Sequence, residues 1–359
     1  MHKISTRQIY FFLAAIAPVG KIMLMPTQLA FFSKNDLLFP AVMNYFLQAG
    51  AVFLALLFAS KNRTFYDALA DTVGKAAAKI IVCLLALFFL YASILPLLEQ
   101  KLYVQKTLYD TLPSPVTFFP FFLLSAYLCA KPIASLGRLW DILLPVSVVG
   151  YAGIMALSVS NADFGALMPV GISGAEGIFG GFAYSLSWFF DSALILALAG
   201  KFEYRKGMAW KGMLFYLAGG AAIVFFLAVF YGVYSDIALQ QTFAFSEISK
   251  YFSGITVLGR IDYFFSFALV FVILFYGSLP LHAGVECVCN AFGDKRYLRI
   301  VLSVVVNVGL LVCVYLLNFK LYVTLQTVTK MLFWIFPVFC VLLPALCLLL
   351  KRRKHETAA

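Results

Sequence analysis

The chain has 359 residues, 63% of them hydrophobic and 12% charged, with a mean hydropathy of +0.95. Soluble domains run at about 45–50% apolar and about 25% charged, so a soluble fold is excluded. The formal net charge of +11 follows membrane topology, as set out below, and argues against a nucleic-acid partner.

Ten apolar segments are predicted to span a bilayer: 6–32, 38–60, 80–109, 114–130, 139–159, 177–200, 213–234, 261–289, 300–317 and 322–350. A bilayer asks for ~20 apolar residues per helix; the fourth and ninth are short for that. The first is too long for the core of a secretory signal and is expected to be retained as a span. It contains Pro18-Val19-Gly20 followed by Lys21 and Ile22. Proline removes a backbone donor and glycine relaxes the backbone, so a break is predicted there. The half-helix after the break would aim its partially positive N-terminal amides at the membrane centre. The alternative is a proline kink with Lys21 snorkelling outward.

Residues 64–79 are mildly amphipathic and are expected to ride the interface. Span 3 is long enough to cross steeply tilted; it carries Tyr91, with Glu99 and Lys101 toward its outer part. Asp141 follows Arg138 by three residues, a helical spacing that predicts an ion pair with Arg138 or another cytoplasmic base. Glu286, near the inner end of span 8, reads the same way. Trp140 and Trp210 stand at span ends, as interfacial anchors do. Span 6 runs from Gly180-Gly181 through Tyr184, Ser187 and Trp188 to Asp191, mixing glycines, hydroxyls and one mid-depth carboxylate. The outer stretch 235–254, with Phe243, Phe245, Ile248, Tyr251 and Phe252, is expected to form short helices over an entrance. Arg260 and Asp262 open span 8.

Sorting the 27 Lys and Arg residues gives the orientation. The N-terminus, the even-numbered loops and the C-terminus hold 19 of them, the odd-numbered side holds four (Lys34, Lys106, Lys250, Lys320), and four lie in or at spans (Lys21, Lys101, Arg260, Lys330). The positive-inside rule then places both termini in the cytoplasm. The seven cysteines fall in or beside spans and read as packing thiols. Three histidines, two of them near the chain ends, and no Ser/His/Asp arrangement give no support for an enzyme, a metal centre or a cofactor. Ser278 is the one hydroxyl in the inner half of span 8, too few for a sodium site.

These features predict an all-α integral membrane protein, a single polytopic domain over 1–359. Its halves, 1–160 and 177–350, each open on a span with glycine and a mid-membrane charge, and a basic tail 351–359 follows. Interrupted helices at corresponding positions are the pattern of a five-plus-five inverted repeat, the LeuT-type architecture, with spans 1 and 6 broken. A charge at the bilayer centre costs about 2.5 kcal/mol upward and normally faces a cavity or a partner. Lys21 and Asp191 are therefore predicted to pair across the two breaks. Pro18, Gly20, Lys21, Ile22, Tyr91, Tyr184, Ser187 and Asp191 are the candidate ligand-binding residues; Arg260, Asp262 and Glu99 are candidates for an outer gate. The bland alternative is a bridge that only fixes helix packing. Three functions share this frame: a receptor subunit, a proton-coupled amino acid transporter, and a scaffold with a vestigial site.

Four short segments carry a resemblance: Ser5-Thr6-Arg7-Gln8 entering the broken first span, Ser135-Leu136-Gly137-Arg138, Phe164-Gly165-Ala166-Leu167-Met168-Pro169-Val170 ahead of Glu176-Gly177, and Leu258-Gly259-Arg260-Ile261-Asp262. With ten spans and a basic tail, the chain resembles the spore germination permease family, the B subunits of nutrient germinant receptors, within the amino acid–polyamine–organocation superfamily. The resemblance extends over essentially the whole chain. It implies a subunit of the spore inner membrane that binds a small nutrient, typically an amino acid, and promotes germination through partner A and C subunits.

Overall fold

The computed structural model describes residues 3–60, 63–107, 114–241, 243–250, 261–316 and 334–356. The chain enters its first helix through a capping box. The Ser5 hydroxyl accepts from the Gln8 N–H at 3.4 Å, and the Gln8 side chain accepts from the Ser5 N–H at 3.0 Å. Two of the orphan donors of a helix start are satisfied in this way. Helix α1 (Thr6–Ile16) stops just before Pro18, and α2 (Met25–Ser33) resumes beyond the break with Pro26 in its first turn. A missing backbone donor is harmless at that position. The first apolar segment is thus two short helices.

Helices α3 (Leu38–Ala59), α4 (Phe65–Val73) and α5 (Lys75–Thr107) follow. Only the first part of the amphipathic stretch 64–79 is a separate helix. Gly74, at φ 90°, ends α4, and Lys75–Lys79 belong to α5. Then come α6 (Ser114–Ala130), α7 (Ile133–Ser158), α8 (Gly174–Ser185), a 3-10 turn Leu186–Trp188, α9 (Asp191–Leu198) and α10 (Met208–Tyr234). A 3-10 segment Ser235–Gln240 leads to α11 (Ala244–Lys250), then α12 (Ile261–Phe292) and α13 (Arg296–Leu316). A helical turn Ile335–Pro337 and a π turn Val338–Leu342 lead into α14 (Leu343–Glu356). Among the described residues the only β pairing is a bridge between Ile4 and Phe202.

Burial sorts these helices into centre and rim. The spanning window of the α8–α9 stretch is 89% buried within the protein, whereas that of α13 is 17% buried. Apolar Val304, Val305, Val308 and Val312 of α13 are exposed, as a lipid-facing helix requires. The broken α8–α9 element is therefore the axis of the fold. It packs on α3, while α1 packs on α10 and α7, α2 on α8, and α12 on α5 and α7. The α1–α10 approach is closed by Gly219, where a Cβ would lie 2.3 Å from the Ala14 carbonyl oxygen. Trp140 is no interfacial anchor: it is 4% exposed and stacks on Phe12 at 4.3 Å, because α1 lies against α7. Trp210 is 58% exposed, as an anchor would be.

Polar ties close each face. On the face carrying the N-terminus, Ile4 pairs with the strand-like segment after α9 through Ile4 N–H to Lys201 O (3.0 Å) and Glu203 N–H to Ile4 O (2.9 Å). Asp141 does not pair with Arg138. It accepts from Arg7 at 3.2 Å and from the Gln8 amide at 2.8 Å, since those residues of α1 face it across the α1–α7 contact. Glu286 meets Lys201 at 2.9 Å and Arg299 at 2.6 Å. On the opposite face, Asp36 between α2 and α3 accepts from Gly171 N–H (2.7 Å), Ser173 N–H (2.9 Å) and the Ser173 hydroxyl (2.7 Å). The Ser33 hydroxyl donates to Gly177 O at 2.9 Å. Short helices do form in 235–254: α11 and the segment before it lie against the break. Ala244 N–H donates to Met23 O at 3.0 Å, and Thr27 donates to Gln241 O at 2.5 Å. Phe243, Phe245 and Ile248 are buried there; Tyr251 and Phe252 lie outside the described residues.

Burial alone would push the Asp36 carboxyl up, but its donors from Gly171 and Ser173 hold it below the usual range. A carboxyl lowered by folding stabilises the fold above its unfolded pKa, and that contribution is lost as pH falls through the folded value. Acidification from neutral pH toward pH 3 is therefore expected to lower the melting temperature of the wild type more than that of Asp36→Asn. At neutral pH, Asp36→Ala is expected to cost roughly 2 kcal/mol. Thermal unfolding in detergent across pH checks both; equal pH slopes for wild type and variant would refute the assignment.

Candidate functional site

A helix end leaves four carbonyls without intrahelical partners, and inside a bilayer no water is at hand to satisfy them. The break after α1 meets that demand from its own sequence. The Lys21 ammonium donates to Ile16 O at 3.1 Å, and the Tyr45 hydroxyl of α3 donates to Ala17 O at 2.8 Å. The chain turns back far enough for this because Gly20 sits at φ +78°, a conformation glycine adopts freely. Gly20 also has no room for a side chain, since a Cβ would lie 2.1 Å from the Tyr276 ring.

Asp191 is the first residue of α9, directly after the second break. Its Oδ2 accepts from Lys21 Nζ at 2.8 Å and from the Tyr216 hydroxyl of α10 at 2.6 Å. Both partners of the ion pair are 0% exposed. The cation lies at the C-terminal end of α1 and the anion at the N-terminal end of α9, so each charge is favoured by the adjacent helix dipole. Lys21 Nζ also lies 5.0 Å from the centre of the Phe189 ring and 5.8 Å from that of Tyr276. The Oδ1 of Asp191 has no hydrogen-bond partner among the described residues. The unwound backbone between α8 and α9 is held from α3 and the π turn. Phe189 O receives Gln48 at 3.4 Å and the Cys340 thiol at 3.3 Å, and Ser192 donates to Cys340 O at 2.8 Å.

Of the residues singled out from sequence, Gly20, Lys21 and Asp191 form this centre. Pro18 is half-buried and accepts from the Lys21 N–H at 3.1 Å, while Ile22 is buried beside them. Tyr184, Ser187 and Glu99 form a second group around the 3-10 turn. Ser187 donates to Tyr184 O at 3.0 Å, and the Tyr184 ring lies 5.5 Å from Trp188. Glu99 is 2% exposed and accepts from the Trp188 indole at 2.9 Å, as a buried carboxyl needs a donor. The Tyr91 ring lies 6.0 Å from that of Phe336. Arg260 and the side chain of Asp262 lie outside the described residues. Sequence reasoning missed Tyr216, Tyr45, Tyr276 and Gln48. Asn44, Tyr45 and Gln48 share one face of span 2 by their spacing, a signal that was present; a tyrosine in span 7 gives none.

Beside the pair lies a wholly apolar cleft between α1, α7 and α12, lined among others by Phe12, Ile16, Val19, Trp140, Val272 and Tyr276. Ile16 and Tyr276 are common to the cleft and to the surroundings of the Lys21 ammonium.

A family model described as spore germination protein matches residues 37–320, and the chain belongs to that family. A comparison with curated proteins gives no match. Among solved structures, the chain is similar to the crystal structure of a mutant manganese transporter from Eremococcus coleocola. The TM-score is 0.57 at 14% sequence identity, covering 93% of this chain and 76% of that one. At that identity the likeness shows the fold alone: a multi-pass, all-helical membrane protein of permease type.

Breaking a buried ion pair on one side leaves an uncompensated charge and costs about 3–5 kcal/mol, whereas removing both partners is often far cheaper. Lys21→Met and Asp191→Asn are each expected to destabilise the protein by that amount, and the double variant by less than either. A double-mutant cycle on unfolding in detergent measures this; additive losses would show that the two side chains do not act as a pair.

Proposed function

We propose that this chain is the membrane subunit of a spore nutrient-germinant receptor, binding a small nutrient, an amino acid by preference, where the two broken spans meet. The observation that carries the reading is the fully buried Lys21–Asp191 pair, whose partners come one from each break. Helix ends and unwound backbone at membrane depth are the usual means by which helical permeases hold a small polar ligand. Asp191 would take the ligand's ammonium, and the start of α2 would offer amides to its carboxylate. Pro18, Gly20, Ile22, Tyr91, Tyr184 and Ser187 would complete the walls; Glu99, Arg260 and Asp262 would form an outer gate to ligand entry. Membership of the spore germination protein family supports placement in the spore inner membrane and assembly with A and C subunits. The distribution of basic residues supports cytoplasmic termini. The paired breaks support halves 1–160 and 177–350 related as a five-plus-five inverted repeat. Ligand binding would then shift a conformational equilibrium that the partner subunits read.

A second reading, proton-coupled amino acid transport, is favoured by the transporter-type fold. Manganese itself does not suit this centre, because the carboxylate already faces an ammonium and no three His, Cys, Asp or Glu residues gather among the described residues.

Thermal unfolding of the purified protein against a panel of amino acids, nucleosides and sugars is the direct test. A ligand at a hundred times its dissociation constant adds about 2.7 kcal/mol, and the shift is expected from amino acids and to vanish in Asp191→Asn. A shift that survives in Asp191→Asn would move the site elsewhere. Proteoliposomes then separate the two readings: binding without accumulation supports the receptor, and gradient-driven uptake supports the transporter.

A further inference from the structure

Resting on that reading of the site, we infer that Lys21 is a tethered competitor: its ammonium occupies the subsite meant for the ligand's amine, and an incoming amine must displace it from Asp191. The surroundings of Lys21 Nζ are those of an amine-recognition pocket. They comprise a carboxylate oxygen at 2.8 Å and a main-chain carbonyl freed by helix unwinding at 3.1 Å. Two aromatic faces, Phe189 and Tyr276, complete the enclosure at 5.0 and 5.8 Å. Carboxylate, carbonyl and aromatic face are each attracted to an ammonium whichever molecule carries it.

Two features make exchange feasible. Asp191 Oδ1 is buried and has no hydrogen-bond partner among the described residues, so an entering ammonium has an acceptor on the same carboxylate before Lys21 leaves Oδ2. The apolar cleft shares Ile16 and Tyr276 with the ammonium's enclosure, which places hydrocarbon space next to the amine position. The ligand class that fits is a primary amine with an aliphatic body. Lys21 then sets the threshold of response, because apparent affinity falls by the fraction of molecules in which the subsite is free. With Lys21 in place for more than nine-tenths of the time, removing it tightens amine binding by about tenfold or more.

Thermal unfolding of Lys21→Ala with n-butylammonium, which reproduces the whole lysine side chain, tests this. Butylammonium is expected to stabilise Lys21→Ala saturably, at a concentration at least about tenfold below any effect on the wild type. Neutral 1-butanol should not substitute, and Lys21→Ala/Asp191→Asn should not respond. Lys21→Arg, which keeps a tethered cation, should retain the weak response of the wild type. Should Lys21→Ala fail to fold unaided, its recovery in butylammonium but not in 1-butanol is the same result. Equal responses of wild type and Lys21→Ala, or none in either, would overturn the inference. L-leucine run alongside keeps the two readings apart. If leucine binds wild type and Lys21→Ala alike, the ligand site stands and the competition falls. If butylammonium behaves as expected and no amino acid binds any variant, the competition stands and the amino acid reading falls.

Discussion

The fold is organised by one constraint: a charge buried in the middle of a membrane protein must meet its opposite there. Lys21 and Asp191 satisfy that constraint for each other at 2.8 Å with no solvent contact. Each is also placed where a helix has been stopped. The broken ends would otherwise present unpaired carbonyls and amides at a depth where the cost of leaving them is several kcal/mol per group. The ion pair and the break therefore explain one another. Without the break, no free carbonyl of Ile16 would be available to the ammonium; without the ammonium, that carbonyl would be an orphan.

The rest of the architecture holds the two breaks in register. Tyr216 from α10 and Tyr45 from α3 bring hydroxyls to the carboxylate and to the end of α1. Beyond the centre, the ties differ in kind between the faces. Asp36 joins the end of α2 to the segment before α8 through three donors, so the half-helix after the first break is fastened to the one before the second. The N-terminal face is closed by ion pairs among α1, α7, α12 and α13, of which Arg7–Asp141 is partly exposed. Exposed pairs contribute little and are screened by salt. The N-terminal face therefore relies more on its buried Glu286–Arg299 pair at 2.6 Å than on Arg7–Asp141.

Much of this was legible in the sequence because the bilayer removes alternatives. Ionisable residues deep in apolar segments are rare enough that Lys21 and Asp191 stand out, and Pro18-Val19-Gly20 fixes where the first helix must stop. Partner choice was less legible. Asp141 has Arg138 at helical spacing yet meets Arg7 and Gln8, because which face of α7 meets α1 is decided by packing rather than spacing. Glu99 read only as lying toward the outer part of span 3, since depth along a long helix does not say which neighbour covers it; the Trp188 indole does. Tyr216 carried no signal, because tyrosine is ordinary in spans and its hydroxyl matters here only through the carboxylate it reaches.

An internal ion pair at a ligand site also bears on what kind of device the protein is. A site that is empty at rest answers ligand in proportion to intrinsic affinity. A site already filled by a tethered cation answers only to a ligand that outcompetes it, and the effective concentration of a tethered group is in the millimolar range or above. Such a site is insensitive to trace amines and responds over a higher range of supply. For a transporter scavenging a scarce nutrient, that would be a handicap. For a receptor committing a dormant cell to an irreversible step, a threshold held by one lysine in the chain itself is a simple physical safeguard, and on that ground the receptor reading accounts for Lys21 better than transport does.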